Sequence, residues 1–289
     1  MKKKVEALIQ KHKLDSKNTK APREESDEFW EKLMKKNIKK IKKLQEKLYA
    51  QSKFSVLIAL QGMDTAGKDS LIRKVFGPLN PAGVKVHAFK SPTKEELNHD
   101  YLWRHYKKLP AQGEITVFNR THYENVLVTR VHPEYILSRD LPEINTVEDV
   151  DNDFWKRRFQ HINQVEDVWA ENGMLVLKFF LNISKDTQKQ RLIDRLENPE
   201  KHWKFDAGDL KERSYWSEYQ HAYKEMLDHT SQPKTAPWFS IPADSKPYAR
   251  YLVSEITLEL LEDLPLDFPE SSKDIKTHVE DYLNQLNTD

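Results

Sequence analysis

The chain has 289 residues, a formal net charge of +1 and no cysteine. This composition excludes a disulfide-bonded small domain and a thiolate metal site. No apolar run approaches the roughly 20 residues that a membrane-spanning helix requires. The first residues, MKKKVEALIQ, are basic but lack the apolar core of a secretory signal. We therefore expect a soluble, cytoplasmic protein with a sizeable core.

The two ends of the chain differ in charge. Residues 1–50 carry 16 Lys or Arg against 8 Asp or Glu, whereas residues 261–289 carry 2 against 8. From Asp27 to Ala50, apolar residues recur every three or four positions, which predicts a long amphipathic helix with lysines on its outer face. We expect an N-terminal helical extension over residues 1–50 and an acidic, helical tail over residues 266–289.

The most informative stretch is FSVLIALQGMDTAGKDS, from Phe54 to Ser70. An apolar run of strand length precedes GMDTAGK, which fits the phosphate-loop pattern GxxxxGK. Backbone N–H groups and the lysine of such a loop surround phosphate oxygens. Asp69 stands where the pattern usually has Ser or Thr to hold Mg²⁺, and Asp64 lies inside the loop. This difference argues against an ordinary nucleotide triphosphatase. A strand, a turn and a helix without a ligand form the simpler alternative.

Further strands and helices alternate along the chain. We predict strands over 84–89, 115–118, 174–181 and 239–242, helices over 94–108, 151–172, 184–197, 209–229 and 248–262, and an inserted loop over 133–150. This alternation predicts an α/β fold with a mostly parallel five-stranded sheet between two layers of helices. We expect one core over residues 51–265, in which residues 184–229 form a helical lid.

A second motif, NRTHYENVLVTRVH, follows the third predicted strand. Because the carboxyl ends of parallel strands meet at one sheet edge, we expect Asn119 and Arg120 to share a site with the phosphate loop. Arg120 offers a planar, bidentate fork for phosphate oxygens. Asn119 brings no negative charge to a metal, so Asp64, Asp69 or Glu124 would have to do so. A simple change of chain direction at this point is the alternative.

A third basic group follows the fourth predicted strand. Arg191 and Arg195 lie four residues apart on one helix face, ahead of Lys201 and Lys204. Basic residues on a helix that ends at a breaker suit a lid over phosphates, although exposed arginines at this spacing are also ordinary. Other candidates for lining a polyanion groove are Lys74, Lys90, Lys94, Arg104, Lys107, Lys108, Arg130, Arg157 and Arg158.

Four blocks together resemble the family 2 polyphosphate kinases: GMDTAGKDS, FNRTHYENVLVTRVHPE, RLIDRLENPEKHWKF and APWFSIPADSKPYAR. They occur in the order of that family, from about Phe54 to Tyr251. The form NRTHYE is similar to the class III subgroup, whereas other members carry aspartate at the position of Asn119. The resemblance implies a three-layer αβα P-loop kinase fold. It also implies reversible transfer of the terminal phosphoryl group of inorganic polyphosphate to AMP or ADP, so that AMP is carried through ADP to ATP.

The resemblance further implies the partners and the residue roles. The metal would be Mg²⁺, with Mn²⁺ as an alternative, and Asp64 and Asp69 would hold it. The nucleotides would be those of adenine, with guanine as an alternative, and the protein would be a homo-oligomer, either a dimer or a tetramer. The implied catalytic residues are Asp64, Lys68, Asn119, Arg120, Glu124 and Arg195. The implied phosphate-binding residues are Gly62, Met63, Thr65, Ala66, Gly67, Asp69, Ser70, Arg191, Lys201, Lys204, Asp244 and Lys246.

Three alternative functions compete with this interpretation. A nucleoside monophosphate kinase of the thymidylate type would take phosphate from ATP, but Asp69 and the basic helix faces weigh against it. A non-catalytic regulator would not need charges of both signs in one site. Nucleic-acid binding by the basic arm is disfavoured because Phe29 and Trp30 lie on the apolar stripe and not between the lysines. We expect neither a nucleic acid nor a membrane as partner.

Overall fold

The computed structural model describes residues 18–232 and 235–288. In these residues five strands form one sheet: β1 (Ser55–Gln61), β2 (Val84–Ala88), β3 (Ile115–Asn119), β4 (Met174–Asn182) and β5 (Trp238–Pro242). Their order across the sheet is β2-β3-β1-β4-β5, and every neighbouring pair is parallel. The predicted five-stranded α/β fold is confirmed, and the described sheet is parallel throughout.

Helices precede, connect and follow the strands. In chain order they are α1 (Asp27–Gln51), α2 (Lys68–Leu71), α3 (Lys94–Leu97), α4 (Trp103–Tyr106), α5 (Val128–Val131), α6 (Glu134–Leu137), α7 (Asn152–Glu171), α8 (Lys185–Glu197), α9 (Ala207–Ser214), α10 (Trp216–Thr230), α11 (Lys246–Glu262) and α12 (Lys273–Thr288). A π-helical turn, Ile72–Phe76, extends α2. Short 3₁₀ turns cover Pro81–Gly83, His122–Asn125, Val147–Asp149 and Pro199–Lys204.

The central strand β1 is buried along its whole length. Its alternate residues point to opposite faces of the sheet, as the pleat requires. Val56 and Ile58 belong to a large apolar cluster that includes residues of α1 and α11. Leu57 belongs to a second cluster with Trp169 of α7. Helices therefore cover both faces, which confirms the predicted three-layer αβα arrangement and explains why β1 is apolar on both sides.

The long helix α1 packs against α11. The Ser26 hydroxyl accepts a hydrogen bond from the Phe29 amide at 3.2 Å, which caps the N-terminus of the helix. The Trp30 ring lies 4.9 Å from the ring of Tyr248 and 5.1 Å from that of Tyr251. The helix predicted from Asp27 is confirmed. The part of the predicted N-terminal extension before residue 18 lies outside the described residues.

Three predicted segments were wrong in detail. The single helix over 94–108 is two short helices, because the Asp100 carboxylate accepts from the Leu102 amide at 2.8 Å and starts a new turn. The long helix predicted from Asp209 starts earlier, capped by Asp206, and breaks at Tyr215 between α9 and α10. The loop predicted over 133–150 contains α6 and a 3₁₀ turn.

The C-terminal segment runs along the outside of the molecule. Helix α12 has a kink at His278, and none of its described residues is buried. Among the helices of the described part of the chain, none is both long enough and apolar enough to cross a lipid bilayer.

Candidate active site

The loop from Gly62 to Lys68 connects β1 to α2 and has an unusual backbone. Gly62 and Gly67 have φ angles of +153° and +106°, and Thr65 has +65°. A Cβ atom at Gly62 would lie 2.7 Å from the carbonyl oxygen of Leu181, so only glycine fits between the loop and β4. The loop is thus held tightly against the carboxyl end of the sheet, where ligands bind in this class of fold.

The Lys68 side chain curls back over this loop. Its Nζ donates to the carbonyl oxygens of Gly62 at 2.6 Å and of Met63 at 3.3 Å. Burial lowers the pKa of Lys68, and the nearby Asp64 carboxylate opposes that shift. The ammonium group is therefore placed at the centre of the loop, where it can contact an anion that enters.

The two loop acids each meet one residue at the end of β3. The Arg120 guanidinium donates to Asp64 Oδ1 at 3.0 Å. The Asn119 side-chain amide donates to Asp69 Oδ1 at 2.6 Å. The structure thus brings Asp64, Lys68, Asp69, Asn119 and Arg120 together, although β1 and β3 are far apart in sequence. Arg120 itself is one of the few non-glycine residues with positive φ, at +59°.

A cavity of about 450 Å³ opens over this group and is lined by charges of both signs. We call it the phosphate-loop cavity. Fourteen of the eighteen residues implied by the resemblance line it: Asp64, Thr65, Ala66, Gly67, Lys68, Asp69, Ser70, Asn119, Arg120, Arg191, Arg195, Lys201, Lys204 and Lys246. Gly62 and Met63 lie beneath it as the start of the loop. Arg73, Asp194, Asp209 and Arg250 complete its walls and were not singled out as site residues from the sequence.

A second cavity of about 440 Å³ lies on the other side of Arg120. We call it the β3-side cavity. Its walls combine apolar side chains, among them Phe89 and Val128, with the basic side chains of Arg104 and Arg139. Arg120 lines both cavities. The sequence analysis did not predict this cavity. Part of its wall belongs to the NRTHYENVLVTRVH motif, but the motif does not show that α3, α4 and α6 enclose a space beside it.

Glu124 faces the β3-side cavity. Burial raises the pKa of its carboxyl group, while Arg120 and Lys68 act in the opposite direction. Burial by itself would lower the pKa of Arg120, but the carboxylates of Glu124 and Asp64 outweigh it, so that this pKa is raised. The charges of Glu124, Arg120 and Asp64 therefore influence one another across the boundary between the two cavities.

Arg191 lies in the phosphate-loop cavity, but its guanidinium is bonded to the backbone. It donates to the carbonyl oxygens of Thr65 at 2.9 Å and Ala66 at 3.2 Å, and to those of Ala243 at 2.7 Å and Asp244 at 2.9 Å. These bonds tie the phosphate loop to the segment after β5. The Arg191 guanidinium thus holds the loop through hydrogen bonds, and the role over phosphates that the sequence suggested stays a prediction.

Asp244 also has a local partner. Its Oδ1 accepts from the backbone amide of Ser184, directly before α8, at 2.8 Å. The residue does not line either cavity described above. Asp244 therefore fixes the start of α8, and the phosphate-binding role that the resemblance implies for it stays a prediction.

The predicted lid residues lie on α8 and on the segment that follows it. Arg195 donates to Asp209 Oδ2 at 2.9 Å and to the Lys204 carbonyl oxygen at 3.0 Å, which joins α8 to α9. Lys201 and Lys204 are exposed and line the phosphate-loop cavity. The closing motion of a lid stays a prediction.

The wider basic groove suggested from the sequence is not assembled as expected. Arg104 and Lys90 line the β3-side cavity. Arg130 is paired with Glu225 at 2.9 Å. Arg158 is buried at 4% exposure and donates to the Asn125 carbonyl oxygen at 3.3 Å. None of the nine suggested residues lines the phosphate-loop cavity. Its side chains come from the loop, from α2 and its π-helical turn, from the end of β3, from α8, α9 and α11, and from the 3₁₀ turn Pro199–Lys204.

Comparisons with known proteins show the family of this chain. The family model described as polyphosphate kinase 2 matches residues 23–267. The chain belongs to the polyphosphate kinase 2 family. It is 42% identical to the ADP-polyphosphate phosphotransferase of Rhodopseudomonas palustris, over 86% of this chain and 84% of that protein. It is 46% identical to the AMP/ADP-polyphosphate phosphotransferase of Meiothermus ruber, over 80% of this chain and 81% of that protein.

A solved structure supports the same assignment. The crystal structure of polyphosphate kinase 2 from Arthrobacter aurescens TC1 superposes with a TM-score of 0.83 at 38% identity, covering 94% of this chain and 92% of that one. The family expected from the four sequence blocks is therefore confirmed, and the chain is a kinase-type transferase of this polyphosphate kinase 2 family.

Proposed function

We propose that this polyphosphate-dependent nucleotide phosphotransferase accepts both AMP and ADP, and so carries AMP through ADP to ATP. The observation that carries the proposal is the position of Arg120 on the shared wall of two cavities of similar volume. The charged phosphate-loop cavity suits a phosphate chain, and the partly apolar β3-side cavity suits a nucleoside with its phosphates. The M. ruber relative is named for both acceptors and supports the same range here.

The reaction follows from this arrangement. A terminal phosphate oxygen of the acceptor nucleotide attacks the terminal phosphorus of polyphosphate, a new P–O bond forms, and the bridging P–O bond to the rest of the chain breaks. The leaving group is polyphosphate shortened by one unit. The attacking oxygen is already anionic, so no general base is needed. Most of the rate in phosphoryl transfer comes from positioning and from charge neutralisation.

Different positively charged side chains position the two substrates and neutralise their charge. Lys68, held by the carbonyl oxygens of Gly62 and Met63, neutralises charge on the reacting end of the polyphosphate. Arg120 reaches phosphates on both sides and stabilises charge that develops between them. Lys201, Lys204 and Lys246 hold the remainder of the chain in the phosphate-loop cavity. Glu124 limits how many negative charges the acceptor brings into the β3-side cavity, which makes it a determinant of acceptor choice.

The loop acids fit a magnesium ion. Mg²⁺ binds through one or two carboxylates together with substrate phosphates and waters. Asp64 and Asp69 each use Oδ1 for a hydrogen bond to a β3 residue, and both line the cavity. The described residues hold no group of three or more acidic or histidine side chains able to enclose a metal, which agrees with an ion completed by substrate oxygens. When bound, the ion would neutralise phosphate charge; Mn²⁺ would fit the same oxygen ligands.

The direct test is incubation of the purified protein with AMP, Mg²⁺ and polyphosphate in the absence of ATP. We expect ADP to form first and ATP to follow, measured by chromatography of the nucleotides. A thymidylate-type kinase would form no ADP under these conditions. Formation of ADP that stops before ATP would restrict the acceptor to AMP and contradict the proposed range.

We also propose a cytoplasmic homo-oligomer, either dimer or tetramer, that takes guanine nucleotides as alternative acceptors. Light scattering of the eluting protein on a sizing column checks the oligomeric state, and a monomer would contradict it. Replacement of AMP by GMP in the assay above checks the base preference.

A further inference from the structure

Strand β4 carries a lysine in the middle of an apolar run, and this lysine is completely buried. Lys178 has 0% exposure, and so does Glu166 of α7. The Lys178 ammonium donates to Glu166 Oε2 at 2.6 Å, to the Tyr123 hydroxyl at 2.8 Å and to the Thr230 carbonyl oxygen at 2.8 Å. All three of its protons are therefore used, as a buried ammonium group requires.

The other carboxylate oxygen of Glu166 forms hydrogen bonds with two consecutive residues of the segment that joins Arg120 to Glu124. The Tyr123 hydroxyl donates to Glu166 Oε1 at 2.7 Å, and His122 Nε2 lies 3.1 Å from the same oxygen. Burial by itself would raise the pKa of Glu166, but Lys178 and His122 outweigh it and lower the pKa overall. The carboxylate thus stays ionised and accepts hydrogen bonds from both neighbours.

His122 and Tyr123 lie between Arg120 and Glu124 in the sequence, after Thr121. Arg120 has φ of +59°, a left-handed conformation that is unfavourable for a non-glycine residue and persists only where the surroundings enforce it. Thr121 helps to enforce it, since its hydroxyl accepts from Gln61 Nε2 at 3.0 Å. The buried Glu166–Lys178 pair fixes the same segment a second time, through its hydrogen bonds to His122 and Tyr123.

The pair is not accounted for by stability alone. Replacing a buried ion pair by apolar side chains of similar volume is often neutral or stabilising, because the charges lose their hydration. In some proteins such a pair serves to fix one arrangement of the groups bonded to it. Here the bonded groups, His122 and Tyr123, lie two and three residues along the chain from Arg120, which lines both cavities.

We propose that Glu166 and Lys178, acting through Tyr123 and His122, are positioning residues that hold Arg120 and Glu124 at the boundary of the two cavities. This inference rests on the proposed role of Arg120 in transfer. None of the four buried residues lines either cavity, so their effect on the reaction is exerted through the segment.

The test starts with Tyr123→Phe, which removes one hydroxyl and leaves the ion pair in place. Because small misplacements of catalytic groups lower turnover strongly, we expect kcat to fall about tenfold while KM for polyphosphate changes by less than about twofold. The matched control is Ser254→Ala. Ser254 is also fully buried and donates to the Tyr251 carbonyl oxygen at 2.6 Å, but it lies on α11, where it faces α1 and accepts from Asn37 Nδ2 at 3.2 Å. We expect it to lower the unfolding temperature with kcat unchanged.

A double-mutant cycle separates positioning from general destabilisation. In an Arg120→Ala background, Tyr123→Phe is expected to lower kcat by less than about twofold, since the group that it positions is gone. Wild-type kcat in the single variant, or the same tenfold loss in both backgrounds, would overturn the inference. If Arg120→Ala itself kept full activity, the proposed role of Arg120 would fail instead, so the two failures are distinguishable.

A second variant removes the charges as a pair. Glu166→Leu combined with Lys178→Met leaves no unpaired buried charge, so it is expected to remain folded. We expect the same loss in kcat as for Tyr123→Phe, with an unfolding temperature near that of the wild type. Full kcat in this folded variant would contradict the inference independently of the first test.

Discussion

The phosphate-loop cavity and the β3-side cavity have almost the same volume but different walls. The first, at about 450 Å³, is lined by loop backbone and by charged side chains from four helices. The second, at about 440 Å³, adds aromatic and aliphatic side chains to its basic ones. A phosphate chain offers only charge and oxygen atoms, whereas a nucleotide also has a base that gains from apolar contact. The difference in walls therefore matches the difference between the two substrates.

The two cavities are also built differently. In the phosphate-loop cavity, close backbone packing at Gly62 and buried hydrogen bonds at Arg191 fix the groups in advance. The β3-side cavity is enclosed by the short helices α3 to α6, each of only four residues. We infer that the phosphate-loop side is set rigidly for the chemistry, while the other side is the place where acceptor choice varies.

The largest expected effect comes from removing the central charge of the phosphate-loop cavity. Lys68→Ala is expected to lower kcat by about 100- to 1,000-fold, the range seen when one preorganised charge-stabilising group is lost. The fold should remain intact, as judged by circular dichroism. Lys43→Ala, an exposed lysine on α1, is the control and should keep full activity. Turnover of Lys68→Ala at the wild-type rate would remove the basis for assigning polyphosphate to this cavity.

A smaller but still large effect is expected at Arg191. Arg191→Met leaves four backbone carbonyl oxygens without their donor, so the free energy of unfolding should fall by about 2–3 kcal/mol. Denaturant titration measures this loss. Lys189→Met changes an exposed residue of the same helix and should be near neutral. If Arg191→Met unfolded like the control while its KM for polyphosphate rose, Arg191 would be a phosphate ligand and not a support of the loop.

The smallest expected effect is on the pH dependence of stability, and it concerns Glu124 in the β3-side cavity. Burial raises the pKa of Glu124, so the folded protein keeps a proton at pH values where the unfolded chain has lost it. Stability therefore falls as pH rises from the ordinary carboxyl pKa through the raised one. Glu124→Gln removes this decline, and it should be more stable than the wild type at neutral pH but not below the ordinary pKa.

Thermal unfolding between about pH 4 and pH 8 checks this sign. Glu95→Gln, at an exposed position of α3, is the control and should follow the wild type. Parallel profiles for wild type and Glu124→Gln would contradict the assignment. In the same variant we expect the ratio of KM for AMP to KM for ADP to change. The Glu124 carboxyl group lies on the wall of the β3-side cavity, which we propose to hold the acceptor nucleotide.

Local patterns in the sequence were enough to predict most of the fold and part of the candidate site. The apolar run before Gly62 and the strand ending at Asn119 were sufficient to predict that Asp64, Lys68 and Arg120 meet, because parallel strands place their carboxyl ends at one edge. The helix over 94–108 was wrong because periodicity alone does not reveal that Asp100 caps a new turn. Polar side chains that bond locally to the backbone compete with helix continuation.

Tertiary partners explain what the sequence could not predict. The spacing of Arg191 and Arg195 indicates a shared helix face, but only the folded chain shows that Arg191 reaches the carbonyl oxygens of Thr65 and Ala66. The β3-side cavity forms where the NRTHYENVLVTRVH motif meets α3, α4 and α6, and the sequence does not show this packing. Lys178 did carry a signal, since a charged residue inside the apolar strand MLVLKFFL needs a buried partner. The identity of that partner, Glu166, depends on how α7 packs against β4.

The division of substrates between the two cavities can be tested most directly by steady-state kinetics of two charge-removing variants, with AMP and polyphosphate varied and ATP absent. Lys246 lines only the phosphate-loop cavity, and Arg139 lines only the β3-side cavity. We predict that Lys246→Ala raises KM for polyphosphate, and Arg139→Ala raises KM for AMP, each by roughly tenfold, as expected for loss of one charge-assisted hydrogen bond. Each variant should leave the other KM unchanged. Equal changes in both constants, or the reverse assignment, would contradict the account.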